Sequence, residues 1–167
     1  MGVILRHGLA NGVMTGAHLP SEEVVQIVLA DDHEVVRGGL RLLLDAEPDL
    51  EVVAEAGDLG SARRCVRELH PTVLVLDLNM PGGSVVRAIP TLRSEAPDTQ
   101  IVVLTMRDEL ALVDAARQSG ALGYVLKEEA GSELVTAIRR AAQGEGYINR
   151  RLASRIAVQH MRQSNWG

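Results

Sequence analysis

A chain of 167 residues that is 46% hydrophobic and 23% charged has the size of one globular domain with about forty residues to spare, too few for two large domains. Its formal charge of -5 and pI near 5.5 exclude a protein whose main role is coating nucleic acid or an anionic membrane. Tyr124, Tyr147 and Trp166 are the only aromatic residues, so no stacking platform for single strands can be built. The single Cys65 allows neither an internal disulfide nor a thiolate zinc cluster, as suits a reducing compartment. No apolar run approaches the ~18 to 20 residues that span a bilayer, and a cytoplasmic protein without membrane contact is expected. Of 17 basic residues, 16 are Arg and one is Lys127.

Residues 1–23, with Gly2, Gly8, Gly12, Gly16 and Pro20 and no lasting periodicity, read as a flexible extension. From Val24 the pattern changes to short apolar runs rich in β-branched residues, alternating with stretches of helical period. This is how a parallel sheet covered on both faces looks in sequence. Five strands are predicted, at 26–30, 51–55, 73–76, 100–104 and 123–126. Between them, Val36, Leu40, Leu43 and Leu44 keep helical spacing, as do Cys65, Val66 and Leu69, and later Leu134, Ile138 and Ala141. Pro71 and Gly120 punctuate helix ends. Gly38 and Gly39 should each weaken the first helix by roughly 1 kcal/mol relative to Ala. Pro90 inside a helix would cost about 3 kcal/mol, so the third helix is expected to begin near Pro90 or to kink there. The whole predicts an α/β fold, a doubly wound five-stranded parallel sheet over 24–144 with ligands at the carboxyl ends of the strands. Residues 145–167 form a C-terminal linker or helix; its stretch from Asn149 to Arg162 has Leu152, Ile156 and Gln159 at helical spacing and carries Arg150, Arg151, Arg155 and Arg162 with no acid.

The apolar runs end on polar groups: Asp31 and Asp32 after the first strand, Asp77 after the third, Thr105 after the fourth and Lys127 after the fifth. Each alone has an ordinary reading: an Asp after a strand caps a helix, Thr105 is a β-former, Lys127 a solvated cation. Together they place carboxylates, a hydroxyl and an ammonium at one sheet edge. Carboxylates so crowded either hold protons or share a hard cation, for which Mg²⁺ with oxygen ligands is the natural choice. A carboxylate is also a nucleophile toward phosphorus, and the charge on the transferring group calls for Mg²⁺, an ammonium and a hydroxyl donor. A lysine gives phosphate a compact ammonium rather than the planar fork of arginine.

Leu-Ala-Asp31-Asp32-His, Val-Leu-Asp77-Leu-Asn79-Met80-Pro81-Gly82, Val-Leu-Thr105-Met and Gly-Tyr124-Val-Leu-Lys127-Glu resemble the receiver domain of bacterial two-component response regulators, most closely the LuxR/NarL-type subfamily. The resemblance runs from about Gln26 to Gln143 and implies the flavodoxin-like strand order 2-1-3-4-5. It implies Asp77 as phosphoacceptor from a sensor histidine kinase, with Asp31, Asp32, Asp77 and the backbone carbonyl of Asn79 around Mg²⁺. Thr105 and Lys127 would bind the phosphoryl group, and Thr105 and Tyr124 would act as the switch. The output surface would be the fourth helix, fifth strand and fifth helix, including 108–118 and 132–140, used for homodimerisation or release of an attached domain. No enzyme turnover is implied beyond self-directed phosphotransfer and autodephosphorylation. The sequence departs from the family after Gly82, where Gly83, Ser84 and Val85 precede Pro90, leaving that loop open. Only 24 residues follow Gln143, short of a helix-turn-helix domain, so DNA is expected to be reached only through a module absent from this chain. An aspartate-nucleophile phosphatase would lead with an Asp-x-Asp nucleophile, whereas here the acidic pair leads and Leu78-Asn79 follow Asp77. A dinucleotide-binding domain would need a G-x-G-x-x-G turn after its first strand, where this chain reads Ala-Asp-Asp-His-Glu. A free-standing or unphosphorylated receiver-like interaction module remains the alternative.

Overall fold

The computed structural model describes residues 23–106 and 109–165; apart from Glu23, the expected N-terminal extension lies outside them, as does Asp108 of the expected output surface. Strand and helix alternate throughout: β1 Val25–Ala30, α1 Glu34–Asp45, β2 Leu50–Ala56, α2 Leu59–Leu69, β3 Val73–Asp77, α3 Val85–Glu95, β4 Gln100–Thr105, α4 Leu110–Ser119, β5 Gly123–Leu126, a 3-10 turn Lys127–Glu129, α5 Ala130–Ala142, β6 Tyr147–Ile148 and α6 Arg150–Ser164. The strands are all parallel, in the order β2-β1-β3-β4-β5-β6. The five expected strands stand in the expected order, and a sixth, two residues long, extends the sheet beyond β5.

Side-chain alternation divides the core into two layers. Val28, Leu74, Leu76, Ile101, Val103 and Leu126 point to one face, where Ala62 and Val66 of α2, Ile89 and Leu92 of α3 and Val113 and Ala116 of α4 cover them. Ile27, Leu29, Val73, Val75, Val102 and Val125 point to the other, against Leu40 and Leu44 of α1 and Leu134, Ala137 and Ile138 of α5. A strand buried on both faces has no polar position to alternate, which is why these strands read as continuous apolar runs.

Two elements depart from expectation. The third helix begins at Val85, well before Pro90, which lies inside it. Ser84 caps it by accepting a hydrogen bond from the Arg87 amide at 3.3 Å. Pro90 is exposed, so water can reach the Val86 carbonyl that its missing N–H would have served, and burial of Val85, Ile89 and Leu92 offsets the loss. The C-terminal segment is also more than a tether. Leu152 of α6 is fully buried and belongs to the same cluster as Val113 and Tyr124, with Ile156 packed against it. Asn149 caps α6, accepting from the Leu152 amide at 2.9 Å, and its own side-chain amide bonds Glu129. Arg151 pairs with Glu129 at 2.8 Å, and His160 bonds Asp114 of α4 at 2.8 Å. The helix is thereby held against α4 and the end of β5.

Candidate functional site

In this strand order the chain direction across the sheet reverses at β1 and β3, which opens a crevice outside their carboxyl ends. Asp31 follows β1, and Asp77 is the last residue of β3. One potential ligand atom from each of Asp31, Asp32, His33 and Asp77 lies within 4.8 Å of all the others, a carboxylate oxygen from each Asp and a ring nitrogen from His33. Asp31 and Asp77 are buried, while the Asp32 side chain keeps 31% exposure and faces the solvent side of the cluster.

Each of the two buried carboxylates is held by the backbone that follows it. The His33 amide donates to Asp31 Oδ1 at 2.8 Å, and the Asn79 amide donates to Asp77 Oδ1 at 3.0 Å. One turn into α1, Arg37 donates to the Asp31 carbonyl at 2.6 Å and to Glu55 at 3.2 Å, fixing the start of the loop. Across the sheet, β5 ends at Leu126, whose partner in β4 is Thr105. This delivers Lys127 Nζ to 2.7 Å from Asp77 Oδ2 and 3.2 Å from Asp31 Oδ2.

One ammonium thus serves two buried carboxylates, and the cluster carries excess negative charge. Burial pushes the Asp77 carboxyl above its ordinary value, against the pull of Lys127 and with a further push from Asp31. Burial alone would lower the Lys127 pKa, but its bonds to Asp77 and Asp31 outweigh this and raise it. The Lys127 rise reflects the two carboxylates that share its ammonium, and the Asp77 rise chiefly its burial. Asp31 Oδ2 is buried without a hydrogen bond, its contact with Lys127 being an ion pair only. An orphaned carboxylate oxygen amid a convergent, negatively charged set of oxygen donors fits a hard divalent cation.

Thr105 is fully buried at the end of β4. Its hydroxyl donates to the Glu109 carboxylate at 3.1 Å. The same Glu109 oxygen accepts from the Met106 amide at 3.1 Å, and its other oxygen accepts from the Asn79 side-chain amide. Thr105 and Lys127 open onto a cavity of about 750 Å³ walled also by His33, Val36, Met106, Glu128 and, from α6, Arg155. The loop after β3 turns through Gly82 and Gly83, at φ 111° and 119°, and the Pro81 carbonyl accepts from the Leu59 amide at 2.9 Å, docking it on α2. Tyr124 stands apart from the carboxylates. It is 4% exposed, with its hydroxyl donating to the Ala121 carbonyl, and burial raises its pKa.

Of the residues read from sequence, Asp31, Asp32, Asp77, Asn79 and Lys127 converge, Thr105 stands on the adjoining strand end, and Tyr124 lies away from them within the core. His33 and Arg37 stand in runs that sequence reading had quoted or crossed without assigning them a part. Glu109, bonded to both Thr105 and Asn79, was missed, because a lone acid in a polar connection carries no sequence signal.

A profile for the response regulator receiver domain matches residues 27–139. The oxygen regulatory protein NreC of Staphylococcus epidermidis is 40% identical over 141 residues, covering 84% of this chain and 65% of that protein. The chain therefore spans just under two thirds of the length of this relative. A two-component response regulator of the LuxR family from Aurantimonas superposes with a TM-score of 0.77 at 36% identity, covering 83% of this chain and 99% of that one. The isolated REC domain of RcsB from Salmonella enterica, solved in the presence of the phosphomimetic BeF3-, superposes with a TM-score of 0.72 at 29% identity over 80% of this chain and 98% of that one. With sheet order, strand-end groups and sequence in agreement, this chain belongs to the response regulator receiver domain family of two-component signal transduction.

Proposed function

We propose that Asp77 is the phosphoacceptor of this receiver, taking its phosphoryl group from a phosphohistidine of a sensor histidine kinase. The observation that carries this reading is the buried Asp77 carboxylate, bonded to the Lys127 ammonium at 2.7 Å and within 4.8 Å of the other acidic groups. A free lone pair of the Asp77 carboxylate attacks phosphorus, the P–N bond to the donor imidazole breaks with its electrons returning to the ring, and an acyl phosphate results. Lys127 neutralises charge on the phosphoryl oxygens, and Thr105 donates its hydroxyl to one of them. Asp31, Asp32, Asp77 and the carbonyl of Asn79 would hold Mg²⁺, whose chemistry is to balance the charge that phosphate adds to an already negative cluster. Hydrolysis of the acyl phosphate by water would return Asp77 to its free state, a self-directed reaction without turnover of an outside substrate.

Movement of Thr105 toward the phosphoryl group, accompanied by Tyr124, would shift the population toward an active form of the α4–β5–α5 surface. We read 24–144 as the receiver proper and 145–167 as the segment leading toward output, here folded back onto α4. Output is homodimerisation or transcriptional control, DNA being reached through a helix-turn-helix domain outside these residues. The setting is the cytoplasm; no helix among the described residues is long and apolar enough to cross a membrane. Incubation with acetyl phosphate and Mg²⁺ should add the mass of one phosphoryl group to the wild type and none to Asp77→Asn. A wild type that gains nothing, or an Asp77→Asn protein that gains as much, refutes the reading.

A further inference from the structure

We infer that Glu109 is an internal competitor for the phosphoryl-binding donors, so that phosphorylation of this chain must first expel a carboxylate of its own. The inference rests on Asp77 being the phosphoacceptor and adds a regulatory residue to that site. An anion attached to Asp77 needs donors from the neighbouring strand end, and β4 offers two: the Thr105 hydroxyl and the adjacent Met106 amide. Both are directed at a single oxygen, Glu109 Oε2, at 3.1 Å each. The other oxygen accepts from the side-chain amide of Asn79, the second residue past the phosphoacceptor. Glu109 therefore joins the Asp77 loop to the Thr105 loop, in the manner required of a phosphoryl group bridging them.

The competition is electrostatic as well as geometric. Hydrogen bonds accepted by an ionised carboxylate are about twice as strong as neutral ones, so these donors are occupied by a ligand of real affinity. A dianionic phosphoryl group approaching the same donors repels the Glu109 carboxylate across a partly buried site, where like charges cost more than in water. Only one of the two can hold Thr105 and Met106. Glu109 stands immediately before Leu110, the first residue of α4. Its expulsion frees the residue that leads into this helix, which couples the chemical event to the α4 face against which Ile156 and His160 of α6 lie.

The consequence is that removing the carboxylate should ease binding, the opposite of what loss of a structural contact does. Titration of the full chain with BeF3- in the presence of Mg²⁺ should show Glu109→Ala binding on the order of ten-fold more tightly than wild type. That is the equivalent of one lost charge-assisted competitor at 1.4 kcal/mol per decade. Phosphorylation by acetyl phosphate should accelerate in the same direction. Glu109→Gln, which keeps an acceptor oxygen but loses the charge, should fall between the two. Equal or weaker BeF3- binding by Glu109→Ala, with a wild type that is phosphorylated on Asp77, overturns the competitor and leaves the phosphoacceptor standing. A wild type that neither binds BeF3- nor gains phosphate, indistinguishable from Asp77→Asn, overturns both, and the Asp77→Asn control tells the two failures apart.

Discussion

Replacing Lys127 with Met removes the only ammonium of the chain from between two carboxylates that are 0% and 1% exposed. The methionine fills much of the same volume, so the loss is chiefly electrostatic. Deleting one partner of a buried ion pair costs about 3 to 5 kcal/mol, because the remaining charge has no compensation. The lower figure applies here: Asp32 leaves one side of the cluster partly open, and the two carboxylates can share a proton. In EDTA at about pH 7, Lys127→Met should therefore be less stable by ~3 kcal/mol, which for a domain of this size lowers Tm by roughly 6 to 12 °C. Burial already holds the Asp77 carboxyl above its ordinary value, and the variant removes the Lys127 pull against it, so the folded state should bind protons more tightly than the unfolded one and stability should fall as pH rises. The deficit should accordingly shrink when the pH is lowered from about 7 to about 5. Excess Mg²⁺ should also restore part of the loss by binding only the folded state. Thermal unfolding followed by circular dichroism, in EDTA and in Mg²⁺ at both pH values, measures each effect. A Tm in EDTA within ~2 °C of wild type, independent of pH, would show that Lys127 does not balance the carboxylates.

Leu152 is fully buried in the main core cluster, so Leu152→Ala should cost about 3 kcal/mol. Met161→Ala, on the 67% exposed side of the same helix, should change stability by no more than about 0.5 kcal/mol; equal effects in urea unfolding would mean that α6 is only a tether. Two glycines should respond with opposite signs. At Gly82, φ is +111° and an added Cβ would meet Leu59 Cβ at 3.1 Å, so Gly82→Ala should destabilise by ~1 to 2 kcal/mol. At Gly38, inside α1 with nothing within 4 Å of the added methyl, alanine should stabilise by about 0.5 to 1 kcal/mol. Urea midpoints moving in the same direction for both glycine variants would refute this account.

The strand ends were legible because a buried parallel strand has no reason to stop being apolar until it leaves the sheet. Asp77 and Thr105 close β3 and β4, and the change from Leu to a polar group marks both the end of the strand and the edge where ligands collect. The acidic pair and the lysine were found at the same edge, whereas the strand order came only from the resemblance to the receiver family. β6 escaped notice because two residues between Gly146 and Asn149 cannot establish a period. The start of α3 was misjudged because propensity charges the full penalty of an internal proline, whereas Pro90 is exposed and sits on a helix whose opposite side buries Val85, Ile89 and Leu92. The docking of α6 was hidden for a different reason: a helix with four arginines reads as solvated, and only the acids of other elements, Glu129 and Asp114, show where it rests.

Charge balance links the site to the rest of the fold. At rest, Asp31 and Asp77 share one ammonium, one carboxylate oxygen of Asp31 has no hydrogen-bond donor, and Glu109 occupies the donors of Thr105 and Met106. Turning the Asp77 carboxylate into an acyl phosphate would replace its single negative charge with about two. Such a site can relieve the addition in three ways: by binding a divalent cation, by drawing Lys127 fully to the phosphate, or by losing another anion. The third acts directly on α4, because Glu109 immediately precedes its first residue, Leu110. A receiver with a neutral group at position 109 would therefore be expected to bind phosphate more readily but to signal less of it to α4. On this proposal, the resting competitor would make the helix responsive to a phosphoryl group on Asp77.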